Sequence, residues 1–336
     1  MLRTTTVRVW SAAFAAATLL TPSLARAQAF TPAQGEGAVS LLYQDQYFKY
    51  HMAPTTEVDA GQISARSMLL DVSYGLTDKI AIGVGLPWVF TRYVGPSPHP
   101  LADGSGPNPI DDGSWHGTAQ DFRFDIRYNV TRNLLNSGVV VTPFVGSIMP
   151  SHDYPYFVHS GFGRDLREMQ VGTSVAKLFE KGIPGLLIQG RYAYGFVEQV
   201  VDISHNRSLG SLEAAYFATP KLRLLGLSAG QITHGGIDFA GPPSIPLLTH
   251  DEYLHHDQIE RDNMLSLGAG ASYSLNETLD VYGSWMKTVA QRNGHLLDRG
   301  ISLGVSWSFT TAHARKSVGT TAENSLSRCL CEKGTK

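Results

Sequence analysis

The sequence predicts an all-β chain, a transmembrane antiparallel β-barrel of about twelve strands with short periplasmic turns and long extracellular loops. Three observations carry this. In Ile301–Phe309 the odd positions Ile301, Leu303, Val305, Trp307 and Phe309 are apolar and the even ones are Ser302, Gly304, Ser306 and Ser308, the two-residue period of a strand with one greasy and one small polar face. The links between such runs are by turns short and long. Charged residues make up 17 % of the chain, against roughly 25 % in soluble domains, while glycine is enriched over its usual ~7 %.

An amphipathic strand suits a soluble sandwich as well as a barrel, because its greasy face can meet a core or lipid. Loop lengths separate the two: a sandwich has no reason to sort its connections by length, whereas outer-membrane barrels keep short turns at the periplasmic end. The start of the chain agrees. Arg3 and Arg8 precede the apolar stretch Trp10–Leu20, and Ala25-Arg26-Ala27 offers small residues at a cleavage spacing, so residues 1–27 read as a secretory signal peptide. The stretch falls short of the about 20 apolar residues of a spanning helix. Without Arg3, Arg8 and Arg26 the count is 24 basic against 29 acidic residues, and nucleic acid is excluded as a partner.

After a periplasmic segment at 28–36, the barrel is predicted over 37–309. Strands are expected near 37–52, 62–74, 79–92, 117–130, 138–150, 164–179, 185–201, 207–218, 222–234, 259–275, 278–292 and 298–309. Each is long enough for the about 9 to 11 residues of a tilted spanning strand. The short links pair an aromatic with a polar turn and an apolar restart: Tyr74–Ile80, Tyr128–Leu134, Phe217–Leu222 and Tyr273–Leu279, with Lys181–Pro184 as the fifth. The long links, 93–116, 151–163 and 235–258, are rich in Pro, Gly, His and Asp. Beyond Phe309 the pattern lapses, so 310–336 reads as a flexible periplasmic tail carrying the only cysteines, Cys329 and Cys331.

Strand 117–130 fixes the facing. Phe122, Phe124, Ile126 and Tyr128 alternate with Arg123, Asp125, Arg127 and Asn129, and a charge on the lipid face costs about 2 to 4 kcal/mol at the midplane. The charged set therefore faces inward. The same phase argument turns Asp71, Glu168, Gln170, Gln189, Arg191, Glu213 and Asp280 inward, giving a lumen with both signs of charge. Twelve strands lie between the eight that enclose only side chains and the about 16 to 18 of open porins. The residues thus line a narrow hydrophilic pore, or pair into a network that fills it.

Eleven of the twelve histidines fall between His51 and His295, all predicted in long loops or at outer strand ends. The densest run, His250–Asp257, offers His250, His255 and His256 as candidate ligands for zinc or copper. Because no fixed spacing aligns them, the plain reading is preferred: polar loops collect histidine where lipid-facing strands cannot. No cofactor is predicted. His159-Ser160 and His205-x-x-Ser208 are the candidate residues of a lipid hydrolase, the less favoured reading, because neighbours such as His159 and Ser160 point to opposite faces of a strand and catalysis also needs a third group to orient the histidine.

Ser302-x-Gly304-x-x-Trp307-x-Phe309 resembles the C-terminal assembly signal of bacterial outer-membrane barrels, so Gly304, Trp307 and Phe309 are the residues that barrel-assembly machinery would read. With Tyr74–Ile80 and Gly83-x-Gly85-x-Pro87-Trp88 it also resembles the outer-membrane transporter family named for the meta-pathway of phenol degradation. That resemblance implies a barrel passing small, often hydrophobic or aromatic compounds, with no catalytic residues. The reading is an outer-membrane channel of a Gram-negative-type cell for passive uptake of small solutes, its partners lipid, assembly machinery and solute. The alternative is a structural or partner-binding barrel with a filled lumen.

Overall fold

A computed structural model describes residues 29–59, 61–95, 99–130, 138–239 and 248–311. The signal peptide at 1–27, the turn residues Thr131–Leu134 and the tail from 312 onward, with Cys329 and Cys331, lie outside the described residues. The chain forms twelve wall strands: β1 (Glu36–Met52), β2 (Gln62–Gly75), β3 (Ile80–Val94), β4 in two pieces (His116–Ala119 and Phe122–Tyr128), β5 (Val139–Met149), β6 (Glu168–Phe179), β7 (Leu186–Val197), β8 (His205–Phe217), β9 (Leu222–Gly235), β10 (Asn263–Ser274), β11 (Leu279–Arg292) and β12 (His295–Thr310). Each pairs antiparallel with its sequence neighbours, and β12 returns to β1, with Gly37 opposite Phe309 and Leu41 opposite Val305. The sheet is closed. Hydrocarbon supplies no partner for backbone N–H and C=O groups, and closure is what removes the edge that would leave them unpaired.

The alternating pattern sets the facing. In β12, Leu303 and Trp307 are 56 % and 52 % exposed, while Ser302 and Ser306 are buried. Inside the closing seam Ser40 Oγ donates to Ser306 Oγ at 2.9 Å, and Gln44 Nε2 to Ser302 Oγ at 3.1 Å. In β4, Phe122, Phe124, Ile126 and Tyr128 are all exposed, and Arg123, Asp125 and Arg127 take the other face. No helix among the described residues is long and apolar enough to cross a membrane.

Four strand boundaries differ from the expected ones by three residues or more. Residues 164–167, 198–201 and 259–262 belong to loops, and β12 starts earlier, at His295. Strand β4 is broken at Gln120–Asp121 because Pro87, facing it on β3, has no N–H for the ladder. Its carbonyl accepts instead from Gln120 N at 2.9 Å, and the pairing shifts by one residue between Gly85–Arg123 and Trp88–Ala119.

Glycines on the inward face make room for charge. A Cβ on Gly83 would lie 2.7 Å from Asp125 Oδ2, one on Gly85 2.8 Å from Asp71 Oδ1, and one on Gly195 2.5 Å from Glu168 Oε1. With any other residue at these positions the carboxylate would have to shift. The Gly83-x-Gly85 pattern thus leaves room for the carboxylates on the neighbouring strands.

Candidate functional site

The lumen is occupied in three layers. At the end bearing the short turns, the residues just before β1 fold into the barrel. Ala29 is fully buried in an apolar cluster with Val140, Ala176, Leu187, Ala215 and Leu225, against which Phe30 packs. Thr142 Oγ1 donates to the Ala29 carbonyl at 2.5 Å, and Asn129 Nδ2 to Thr31 Oγ1 at 3.4 Å. Leu42, Leu69, Leu227, Tyr282 and Met286 continue this cluster along the wall.

The second layer holds the predicted inward residues. Arg127 Nε lies 2.7 Å from Asp125 Oδ1 in a Coulombic contact, while its Nη2 donates to Ser73 Oγ at 2.8 Å and to the Ile82 carbonyl at 3.3 Å. The Arg191 guanidinium stacks 3.5 Å from the Phe144 ring centre. Asp71 faces Gly85 beside Arg123. Near the short turns, Gln189 Nε2 donates to Glu213 at 2.9 Å, and Asp280 lies 3.6 Å from Arg223 and accepts from Ser274 Oγ at 2.5 Å. Nearer the long loops, Glu168 receives the Arg207 guanidinium and, at 2.7 Å, Gln170 Nε2, with both charges buried. Arg207 and Arg223 were not among the predicted residues, although their odd spacing on β8 and β9 is the same phase signal.

The third layer is a lid. The loops between β3 and β4, β5 and β6, and β9 and β10 fold inward and are held by inward side chains of the wall. Thr91 Oγ1 donates to the Ser160 carbonyl at 2.5 Å, Tyr93 stacks on His159 at 4.4 Å, and Gln231 Nε2 and Thr233 Oγ1 both donate to the Asp262 carbonyl, at 3.0 and 2.8 Å. The loops also hold one another. Asp111, buried at the end of a 3-10 turn (Pro109–Asp111), accepts from the backbone N–H groups of His99 and His159, each at 3.0 Å, and from Ser160 N and Oγ at 3.1 and 3.0 Å. Gln258 Nε2 donates to the Arg164 carbonyl at 2.7 Å, and Arg164 pairs with Asp262 at 3.1 Å with both buried.

The run His250–Asp257 is structured rather than flexible. Thr249 and Glu252 form a reciprocal capping box that starts a short helix, His250–Leu254, and a second turn follows at His256–Ile259. Of the three candidate ligands, His250 is exposed, His255 hydrogen-bonds Tyr156 at 3.0 Å and Gln258 at 2.7 Å, and His256 alone is fully buried. It lies 3.0 Å from Asp257, which is 3.9 Å from His99. Burial pushes the His99 pKa well below its ordinary value. At His256 burial acts the same way, but the Asp257 carboxylate and the Tyr253 carbonyl outweigh it and raise the value. Glu260 is pushed well above the carboxylate range by burial, then by Asp262 and Asp257.

The serine and histidine pairs do not assemble as a hydrolase. Ser160 Oγ is engaged by Asp111 and the Ile110 carbonyl, and His159 stacks on Tyr93. Ser208 meets His234 Nε2 at 2.8 Å, not His205, and Tyr192 OH at 3.0 Å. Among the described residues no carboxylate is placed to orient His234.

No family model matches the sequence, and no curated protein matches it. Solved structures do. An outer membrane channel from Pseudomonas putida F1 superposes with a TM-score of 0.61 at 13 % identity, covering 84 % of this chain and 99 % of that one. The NanC porin (TM-score 0.47, 10 % identity, 80 % of this chain and 98 % of that one) and the P. putida toluene transporter TodX (0.41, 11 %, 84 % and 91 %) are more distant. The likeness to the first is one of fold: this chain has the architecture of an outer-membrane barrel.

Proposed function

We propose that the chain is an outer-membrane channel for passive uptake of small solutes, exported by the signal at 1–27 and inserted by barrel-assembly machinery reading Gly304, Trp307 and Phe309. The observation that carries this is the polar middle layer of the lumen. Asp71, Arg123, Asp125, Arg127, Glu168, Gln170, Gln189, Arg191, Glu213 and Asp280 stand on a wall whose outer face is greasy, and both signs of charge along an aqueous path select solutes by their own charge and polarity. Because Leu42, Leu69, Leu227, Tyr282 and Met286 share that lumen, the cargo this wall suits has both polar and apolar surface. Small aromatic compounds, which the resemblance of Tyr74–Ile80 and Gly83–Trp88 implies, fit that description.

A specific observation favours a second reading, a barrel that stays filled. Ala29 and Phe30 occupy one end of the lumen and the packed lid the other. Reconstitution in planar bilayers separates the two. Stepwise conductance, or its appearance once the lid is loosened, supports the channel. A correctly inserted barrel that stays silent with the lid and the Ala29 segment both loosened supports the scaffold.

A further inference from the structure

Three side chains in the lid are left with chemistry that the channel reading does not use. His99 comes from the β3–β4 loop, and His256 and Asp257 from the β9–β10 loop, and each is no more than 1 % exposed. One ligand-type atom from each lies within 4.8 Å of the other two. His256 Nε2 is 3.0 Å from Asp257 Oδ1, and His99 Nε2 is 3.9 Å from Asp257 Oδ2. His256 Nδ1 is 2.5 Å from the Tyr253 carbonyl and must donate to it, so the lone pair on Nε2 is turned toward the carboxylate.

Neither oxygen of Asp257 and neither ring nitrogen of His99 has a hydrogen-bond partner. Buried polar groups are almost always satisfied, and a buried carboxylate without a donor is costly. Something positive belongs between these atoms. A proton on His256 answers only the 3.0 Å contact and leaves Oδ2 and the whole His99 ring unmatched. A cation answers all three at once.

We propose that His99, His256 and Asp257 bind one divalent transition-metal ion of the zinc class, pinning the β3–β4 loop to the β9–β10 loop across the mouth of the barrel. Two imidazole nitrogens and a carboxylate oxygen are an established three-ligand set for zinc, with water in the fourth place. Neighbouring ligand atoms around a tetrahedral zinc stand about 3.4 Å apart, and with one atom from each residue the three lie within 4.8 Å of one another, so the two loops draw together as the ligands close on the metal. The supporting shell is present: Tyr253 fixes the tautomer of His256, Phe239 stacks on its ring at 4.1 Å, and Asp111 holds the His99 backbone.

The test uses the purified full-length barrel in detergent, stripped with chelator and titrated with zinc chloride by calorimetry, with cobalt(II) as an optical probe. One equivalent of zinc per barrel is expected, with the intense visible absorption of four-coordinate cobalt. His99→Ala and Asp257→Asn are each expected to weaken zinc binding by at least about 100-fold, since outer-shell partners alone are worth 10 to 100-fold. His250→Ala, on the exposed face of the same loop, should leave it unchanged. Only variants that keep heat-modifiable migration are scored, and if neither does, the cobalt spectrum of the unaltered protein decides. Absence of stoichiometric binding, binding that survives both lid variants, a loss caused by His250→Ala, or a six-coordinate cobalt spectrum overturns the proposal.

Discussion

At Gly195 on β7 the space left by a missing side chain is taken by Glu168 of β6, whose carboxylate lies 2.5 Å from where a Cβ would stand and receives Arg207 from β8. The pair is buried, so the two charges depend on each other. Removing one partner of such a pair exposes the desolvation cost of the other, about 3 to 5 kcal/mol, whereas neutralising both is far milder. Arg207→Ala should therefore lower the unfolding free energy read from urea titration by an amount in that range, and adding Glu168→Gln should restore most of it. A double variant no better than the single one would mean that the pair is not coupled. Gly195→Ala should act on the same contact, and in the same direction, by about 1 to 3 kcal/mol from overpacking. The charged residues of β4 and β6 were legible because a strand's two-residue period admits one phase only. Arg207 shares its phase with Glu213, but serine and alanine stand on both faces of β8 and weaken the apolar period that would have singled it out.

Among the elements, the strands and loops differ in what their residues reveal. Twelve strands can be found from period and turn chemistry because lipid imposes the pattern on each one separately. The break in β4 follows from a single proline on its neighbour, and proline's missing N–H is visible in the sequence although its partner strand is not. Loops carry no period, so nothing local announced that Asp111 would gather His99, His159 and Ser160. The Thr249-x-x-Glu252 capping box is a readable signal of order at the head of the His250–Asp257 run. Because four donors converge on Asp111, replacing it with alanine leaves them without their acceptor inside a buried site. The loops should open while the wall keeps its hydrogen bonds. Hydrogen exchange should then rise by at least about tenfold across 99–111 and 156–162 and stay unchanged in β1 and β12, since a net loss of about 1.4 kcal/mol is a factor of ten in the opening equilibrium. Equal acceleration in the wall strands would show that lid and wall unfold together.

For the molecule as a whole, a closed wall separates two faces by polarity, and what fills the lumen decides whether anything passes. The Ala29 segment and the lid sit at opposite ends of the charged layer, so in this conformation they act as two barriers in series. Series barriers add their resistances, and loosening only the smaller one changes little. The two differ in what holds them. The lid is tied by side chains from three loops and the wall, while the Ala29 segment rests on apolar contacts, on the hydroxyl of Thr142 and on the longer Asn129–Thr31 hydrogen bond. Thr142→Val removes that hydroxyl at almost constant volume, leaving the Ala29 carbonyl without this donor at a cost of about 1 to 3 kcal/mol. If the Ala29 segment is the larger barrier, single-channel recordings of Thr142→Val should show more frequent openings, while Asp111→Ala alone stays near the wild-type record. If the lid is the larger barrier, the order reverses. In either case the double variant should conduct more than either single one, because neither barrier then dominates. A double variant that inserts, keeps its heat-modifiable migration and still carries no current would rule out a path through the charged layer and leave the filled barrel as the working description.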